Sequence, residues 1–216
     1  MTTPAPYYDD GTVTLYHGDA LELMPAIDAD VVITDPPYGI SYKPGGFPNS
    51  QTFAPVAGDN GDEMMRWALA LPARSVVFGA EHCATSVPAS STWHVWDKRE
   101  SAAADRILGS PFELLVTSWK CERQMFRVLH AGTVNADHKI AKQCRRVHPT
   151  QKPVVLLRRI IEKWTTPADV IVDPFAGSGS TLRAAKDLGR RAIGFELERE
   201  YCDAIVDRLA QEVLAL

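Results

Sequence analysis

Four carboxylic acids in this chain follow, or end, short apolar runs that are typical of buried β-strands: Asp19, Asp35, Asp173 and Glu196. In sheets of parallel strands the carboxyl ends lie along one edge, and ligands bind at that edge. Carboxylates there can accept hydrogen bonds from hydroxyl and amino groups. We therefore expect these four side chains to contribute to one ligand-binding edge of the molecule.

A glycine-rich turn follows the strand predicted at Val170–Asp173 and leads into a helix; its sequence is Asp173-Pro174-Phe175-Ala176-Gly177-Ser178-Gly179. Its two glycines lack Cβ atoms, so a ligand can approach the main chain closely. The turn has no phosphate-binding lysine, and Leu182 stands where a dinucleotide fingerprint has its third glycine. Glu196 follows the next strand, a position suited to the hydroxyls of a ribose. The combination favours a nucleoside without a triphosphate, and a tight turn without a ligand is the alternative.

A second turn, Asp35-Pro36-Pro37-Tyr38, follows the strand predicted at Asp30–Thr34. Its two prolines end the strand and fix the backbone, which presets the carbonyl positions. The Asp35 carboxylate and the Pro36 carbonyl can accept both hydrogens of an amino group, while the Tyr38 ring offers a base a face to stack on. These acceptors direct the nitrogen lone pair at an electrophile and bind more strongly in the transition state. An ordinary proline turn with a capping aspartate is the alternative.

Together the two turns resemble the catalytic motif and the cofactor loop of the DNA amino-methyltransferases, which methylate adenine N6 or cytosine N4. The segment Arg146-Val147-His148-Pro149-Thr150-Gln151-Lys152-Pro153 resembles the one that precedes the cofactor loop in that family. The motif order is that of the beta-type permutation, and the resemblance extends from about Val13 to Arg208. It implies transfer of a methyl group from S-adenosyl-L-methionine (SAM) to adenine N6 of a base flipped out of double-stranded DNA.

The resemblance also assigns residues to two sites. The catalytic residues are Asp35, Pro36, Pro37 and Tyr38, and the cofactor-binding residues are Asp19, Lys152, Pro153, Asp173, Pro174, Phe175, Ala176, Gly177, Ser178, Gly179 and Glu196. In this assignment the glycine-rich turn lines the methionine part, Glu196 holds the ribose, and Asp19 contacts the adenine ring. Lys152 and Pro153 would close over the cofactor. From the residues alone, a helix cap at Asp19 and a surface lysine at Lys152 remain alternatives.

The order of the predicted elements indicates the fold class. Strands alternate with helices, which predicts an α/β fold with a doubly wound, mostly parallel sheet. The family resemblance implies that this sheet is seven-stranded and of the SAM-dependent methyltransferase type. An antiparallel hairpin on the C-terminal side is also expected, and the alternation in Phe112–Trp119 and Gln124–Leu129 favours such a hairpin. The length suits one methyltransferase domain that covers residues 1–216.

The chain has a net charge of −4, but its charges are unevenly distributed. From Lys98 to Arg159 there are 13 Lys and Arg against 5 Asp and Glu, whereas the rest of the chain is strongly acidic. A basic region on an acidic body suits DNA phosphates, and a solvated surface without a partner is the alternative. We therefore predict that residues 98–146 form a basic insertion in the domain and the candidate DNA-recognition region.

Other expectations concern metals, location and assembly. The four cysteines and six histidines lack metal-ligand spacing, so no metal is predicted. No apolar run is long enough for a membrane span, and the first residues lack a signal-peptide pattern, which favours the cytoplasm. By resemblance, so compact a chain indicates an orphan methyltransferase of a phage or prophage that acts in the host cytoplasm, and a homodimer is expected.

Three other activities are alternatives at this point. Cytosine N4 methylation requires the same acceptor geometry; adenine is preferred because Asp at the first motif position and the beta-type order resemble adenine enzymes. Methylation of RNA or of a protein glutamine would suit related motifs with Asn in place of Asp. A non-catalytic DNA-binding relative is the third, although it has no need of an intact Asp35, Tyr38 and Glu196.

Overall fold

The computed structural model describes residues 4–24, 27–37, 61–99, 110–131, 134–135 and 151–211. The strands are β1 Tyr8–Asp9, β2 Val13–His17, β3 Val31–Thr34, β4 Arg74–Phe78, β5 Thr92–Asp97, β6 Phe112–Thr117, β7 Met125–Arg127, β8 His130–Ala131, β9 Val134–Asn135, β10 Ile171–Asp173 and β11 Ala192–Glu196. The helices are α1 Ala20–Leu23, α2 Glu63–Ala70, α3 Val154–Trp164, α4 Ser180–Asp187 and α5 Arg199–Ala210, and a 3₁₀ helix covers Ala80–Ser86. Tyr38 lies outside the described residues, and so do residues 146–150 of the segment 146–153, which we call the third motif.

Nine of these strands form one sheet in the order β1-β2-β11-β10-β3-β4-β6-β5-β7, and β8 and β9 form a separate pair. Neighbouring strands from β2 to β4 are parallel, whereas β6 is antiparallel to both β4 and β5. The mostly parallel, doubly wound sheet predicted from the sequence is confirmed. Two short edge strands, β1 and β7, give it nine strands in the described part of the chain instead of seven.

The hairpin predicted between Phe112–Trp119 and Gln124–Leu129 is wrong in its pairing. Both segments contain strands, but β6 and β7 lie on opposite sides of β5. β6 pairs with β5 in an antiparallel register, and β7 pairs with β5 in a parallel one. Alternation of apolar residues shows which face of a strand is buried, but not which strand lies beside it. The reversed direction of β6 brings its first residues to the edge where its neighbours end.

The sheet is covered on both faces, which gives three layers. In β3, Val31 and Ile33 belong to an apolar cluster with α3, α4 and α5, while Val32 between them belongs to a cluster that includes Trp67 of α2. This alternation follows from the two-residue repeat of a strand. Since both faces are buried, polar side chains in the middle of the sheet require partners, and the exposed edge of the sheet is the place for chemistry.

Helix α3 determines where the third motif lies. Its buried positions are Leu156, Leu157, Ile160, Ile161 and Trp164, which form one face of a helix and pack on the sheet. Pro153 is the residue that precedes the first turn of this helix. Lys152 is thereby buried at the start of the helix. Within the described ranges, no helix has both the length and the apolar surface needed to cross a membrane.

Candidate active site

The predicted carboxylic acids lie at the carboxyl ends of neighbouring parallel strands. β11, β10 and β3 are neighbours in the sheet; β11 and β10 end at Glu196 and Asp173, and Asp35 follows the last residue of β3. Because the three strands are parallel, their carboxyl ends lie side by side. The structure therefore brings these three acids to the same edge, as their positions after predicted strands indicated.

The glycine-rich turn 173–179 is held against β11 and α5. Gly177 and Gly179 have φ values of 51° and 72°, in the left-handed region that favours glycine. A Cβ on Gly179 would lie 2.8 Å from Cγ1 of Ile205 in α5. The amide of Ala176 donates to a carbonyl of β11 at 2.9 Å. Both the backbone conformation and the packing therefore require small residues in this turn.

The other residues of the turn face inward. Pro174 and Ser178 are buried, and Phe175 is half-buried. The Phe175 ring meets the Trp67 ring edge-on at a centroid distance of 5.9 Å. The Oγ of Ser178 lies 3.1 Å from the Oγ of Ser180. These side chains pack against the protein interior and fix the turn, so its main chain is the part available to a ligand.

The position of the missing third glycine has a structural explanation. Leu182 in α4 packs against Gly194 in β11, where an added Cβ would lie 2.6 Å from Cδ1 of Leu182. In the dinucleotide fingerprint the third glycine lets the helix approach the strand closely. Here the bulky residue is on the helix and the glycine is on the strand, so the two elements still approach closely.

This packing predicts a measurable coupling. We expect Gly194→Ala to lower the free energy of unfolding by ~1–3 kcal/mol, because the added methyl group collides with the fully buried Leu182. Leu182→Ala alone should cost ~2–5 kcal/mol. In the double variant the methyl group enters the vacated space, so the combined loss should be smaller than the sum by about 1 kcal/mol or more. Urea unfolding of the four proteins measures this difference, and additive losses would contradict the packing.

Asp173 is a buried acid with several donors. Its Oδ1 accepts from the Thr34 hydroxyl at 2.9 Å and from the Phe175 amide at 3.2 Å, and Thr181 also donates to the carboxylate. Burial raises the pKa of Asp173 to about 6, against the lowering effect of these hydrogen bonds. A cation placed near this carboxylate would favour its ionised form.

Glu196 connects the glycine-rich turn to the start of α5. Its Oε2 accepts from the Gly177 amide and its Oε1 from the Glu198 amide, each at 2.8 Å. Burial raises the pKa of Glu196 to about 7, although both amides stabilise the ionised form. Each carboxylate oxygen has a second lone pair, so both can still accept from a ligand hydroxyl.

Asp35 has one oxygen engaged and one available. Lys152 Nζ donates to Oδ2 at 2.6 Å. Oδ1 is buried and has no hydrogen-bond partner among the described residues. Burial raises the pKa of Asp35 to about 7; the Lys152 ammonium opposes this, and the nearby carboxylates of Glu113 and Asp173 add to it. A buried acceptor without a donor is costly, which makes Oδ1 a candidate for binding an N–H group.

Lys152 lies between two acids. Its Nζ is 2.6 Å from Oδ2 of Asp35 and 3.0 Å from Oε1 of Glu113. The second oxygen of Glu113 is 2.9 Å from Nζ of Lys98. Glu113 and Lys98 are site residues that sequence reasoning missed. The available signal was a single carboxylate in the otherwise apolar strand β6.

Two further residues of the predicted cofactor site lie at helix starts. Asp19 caps α1, since its Oδ1 accepts from the Leu21 amide at 2.9 Å, as the capping alternative describes. Pro153 is buried next to Lys152 and precedes α3. Contacts of Asp19, Lys152 and Pro153 with a cofactor stay predictions. The described contacts of the Lys152 ammonium include Asp35 and Glu113.

Comparison with known proteins identifies the family. The family model for DNA methylases of the N6/N4 type matches residues 83–207, more than half of the chain. The chain belongs to this family of DNA methylases.

Two relatives match the methylase over most of their length. YubD of Escherichia coli (strain K12), named as a candidate methylase, is 30% identical over 211 residues, 89% of this chain and 88% of YubD. Type II methyltransferase M2.DpnII of Streptococcus pneumoniae is 29% identical over 252 residues, 96% and 93% of the two chains.

Solved structures share the fold of the methylase. The complex of M1.HpyAVI with SAM matches with a TM-score of 0.57 and 23% identity, over 92% of this chain and all of that one. The PvuII DNA methyltransferase, which is cytosine-N4-specific, matches with a TM-score of 0.62 and 17% identity, over 97% and 90%. At these identities the comparison establishes the methyltransferase fold. The DNA methylase activity follows from the family.

Three described cations of the basic region 98–146 are buried or bind groups of the protein, whereas Arg123 and Arg127 are exposed. Lys98 is bound to Glu113, Arg99 is buried, and Lys120 donates to two main-chain carbonyls. Lys120 follows β6, at the edge of the sheet opposite the acids, because β6 runs antiparallel to its neighbours. The remaining cations of the region include Arg106, Lys139, Lys142, Arg145 and Arg146, which lie outside the described residues. The DNA-recognition role of residues 98–146 in the methylase stays a prediction.

Proposed function

We propose that this DNA methylase transfers the methyl group of SAM to adenine N6 of a base flipped out of double-stranded DNA. The observation that carries the proposal is the state of the Asp35 carboxylate. One oxygen is held by Lys152, and the other is buried without a described partner. Such an oxygen can accept an N–H of an exocyclic amine, and its interaction strengthens as positive charge develops on the nitrogen.

The residues at the ends of β10 and β11 fit SAM. Glu196 has an acceptor lone pair on each oxygen for two ribose hydroxyls, and Asp173 provides a negative charge for the cationic methionine part. The turn between them exposes main chain without a phosphate-binding lysine, which suits an adenosine that lacks a triphosphate. When bound, SAM supplies a methyl group whose bond to sulfur breaks as the bond to nitrogen forms, and the electron pair stays on sulfur.

The catalytic turn acts on the amine in two ways. Oδ1 of Asp35 accepts one N–H and holds the nitrogen so that its lone pair points along the line to the methyl group. The Pro36 carbonyl, fixed by the two prolines, accepts the other N–H, and Tyr38 stacks on the flipped base. One proton leaves the nitrogen after transfer. Asp35, whose pKa is raised to about 7, can accept that proton at Oδ1 near neutral pH.

The choice of adenine over cytosine rests on the resemblance of the Asp-Pro-Pro-Tyr turn and of the motif order to those of adenine enzymes. Both bases carry an amino group on an aromatic ring, so the acceptors of the turn suit both. The domain boundaries, the homodimer, the phage origin and the cytoplasmic location also stay predictions.

A nucleoside assay tests the proposal directly. The protein is incubated with unmethylated double-stranded DNA and methyl-labelled SAM, and the DNA is digested to nucleosides that are separated by mass. We expect the label in N6-methyladenine. Label in N4-methylcytosine would replace adenine by cytosine. Labelled RNA in a parallel reaction, with unlabelled DNA, would contradict the proposed substrate.

A further inference from the structure

Glu113 occupies an unusual position for an acid. It is the second residue of β6, a strand that is otherwise apolar up to its terminal Thr117. Because β6 is antiparallel to β4 and β5, its start lies at the edge where those strands end. The Glu113 side chain is only 13% exposed. The reversal of one strand therefore places a buried carboxylate beside the catalytic turn.

Both oxygens of this carboxylate are paired with lysines. Oε1 lies 3.0 Å from Nζ of Lys152, and Oε2 lies 2.9 Å from Nζ of Lys98. The Lys98 ammonium also lies 4.8 Å from the centre of the Trp96 ring. Lys98 is thus fixed on one side by an aromatic ring and on the other by Glu113. The row of charges runs from Lys98 through Glu113 and Lys152 to Asp35.

Stability alone is a weak reason for such a row of charges. Removing charged groups from water costs free energy, and buried ion pairs often contribute little more than apolar side chains of similar volume. Oε1 of Glu113 makes an ion pair with the Lys152 ammonium at 3.0 Å without a directed hydrogen bond. The attraction between the two charges holds Nζ of Lys152 in place beside Asp35.

We propose that Glu113 is a positioning residue for methyl transfer, because it anchors the ammonium of Lys152, which holds Oδ2 of Asp35 and leaves Oδ1 for the target amine. The inference rests on the proposed role of Asp35 as the acceptor of the amine. Lys98 fixes the outer oxygen of Glu113 and completes the row.

Glu113 also balances charge at the site. When all four groups are ionised, the charges sum to zero over Lys98, Glu113, Lys152 and Asp35. Without Glu113 the same group would carry one positive charge next to a nitrogen that becomes positive during transfer, which raises the barrier. Both lysine ammonium groups outweigh the effect of burial and lower the pKa of Glu113, so it is ionised at neutral pH.

Two substitutions distinguish the effect of the Glu113 charge from that of the length of its side chain. Glu113→Gln keeps the shape and removes the charge, whereas Glu113→Asp keeps the charge and shortens the side chain. We expect both to lower the plateau of kcat by roughly 10- to 100-fold while KM for SAM changes by less than about threefold. Only Glu113→Gln should move the acid limb of the kcat profile, and to lower pH, because the Glu113 charge raises the pKa of Asp35. The other charges that act on Asp35, those of Lys152 and Asp173, are unchanged in both variants.

A neighbouring acid provides the matched control. Glu81 is also partly buried and accepts from the amide of Leu114, the residue next to Glu113, at 3.1 Å. Glu81→Gln retains an acceptor for that amide, so its plateau and acid limb should match those of the unmodified protein. A Glu113→Gln protein that folds and has the wild-type plateau and acid limb would overturn the positioning role. Activity that survives Asp35→Ala would instead overturn the proposed function of Asp35.

Discussion

Replacing Asp35 with alanine lowers methyl transfer to DNA by roughly 1,000-fold or more and leaves the affinity for SAM within about threefold. The reason is that Asp35 accepts from the amine, whereas Asp173 and Glu196 lie on separate strands and are expected to hold the cofactor. Single-turnover transfer and calorimetric SAM titration measure the two quantities. Equal loss of both would mean that Asp35 is part of the cofactor site.

The asparagine variant is a sharper form of the same experiment. Lys152 donates to Oδ2 of Asp35 at 2.6 Å. In Asp35→Asn the side-chain carbonyl oxygen must therefore take the place of Oδ2, because an amide nitrogen cannot accept from Lys152. The amide nitrogen then faces the target amine, and two donors oppose each other. We expect Asp35→Asn to be no more active than Asp35→Ala. Adding Lys152→Met frees the amide to turn over, and the double variant should regain roughly tenfold in kcat. An Asp35→Asn protein with near wild-type activity would show that Lys152 does not fix the orientation.

The second large effect concerns Glu196. Glu196→Gln should weaken SAM binding by roughly 100-fold, because it replaces charged acceptors of the ribose and sets an amide nitrogen against a main-chain donor. Both Gly177 and Glu198 donate to the present carboxylate, so one of them loses its acceptor. Glu200→Gln is the matched control, since Glu200 is an exposed acid in the first turn of the same helix. The control protein should bind SAM with wild-type affinity.

The pH dependence of binding provides a second measurement on Glu196. Without a ligand its pKa is about 7, and ribose donors favour the ionised form, so binding should release a proton. The affinity for SAM should therefore fall by up to roughly tenfold from pH 8 to pH 6. Glu196→Gln should retain a weaker dependence at lower pH, due to Asp173 with a pKa of about 6. A pH profile of Glu196→Gln identical to that of the unmodified protein would contradict the assignment. The profile of Glu200→Gln serves as the reference, because it includes the titration of the cofactor itself.

The same raised pKa has the opposite effect on the stability of the ligand-free protein. Because folding raises the pKa of Glu196, the folded state binds the proton more tightly than the unfolded state. This contribution to stability is present at acid pH and is lost as the pH rises through about 7. We expect Tm without SAM to decline between pH 5 and pH 8, and the decline should be smaller in Glu196→Gln.

Part of the site could be predicted because the sequence indicates where the strands end. Asp35, Asp173 and Glu196 each come after an apolar run, and parallel strands bring such positions to one edge. The glycine-rich turn was also predictable, since Gly177 and Gly179 are the residues that left-handed backbone requires. The family resemblance rested on these two turns and the segment 146–153, and the fold class on the alternation of strands and helices; both were correct.

Other parts depend on which strands are neighbours, which periodicity does not encode. The alternation in β6 predicted a strand, but its pairing with β5 and β4 was needed to bring Glu113 to the site. The role predicted for Lys152 came from the resemblance of residues 146–153 to the segment that precedes the cofactor loop in the family. Its described contacts include acids on β6 and after β3. A lone carboxylate in an apolar strand was the one sequence signal for this arrangement, because burying it is costly without a partner.

The strand order has a consequence for how the chain acquires its native state. β2 pairs with β11, in a register that runs from Val13 opposite Ala192 to His17 opposite Glu196. A strand near the start of the chain therefore pairs with one near its end. β11 is also the only described link between β2 and β10 in the sheet. Such long-range pairing slows folding, because a long loop closes before its contacts form. During synthesis the two parts of the sheet can therefore join only after β11 has left the ribosome, and activity should appear late rather than in step with chain growth.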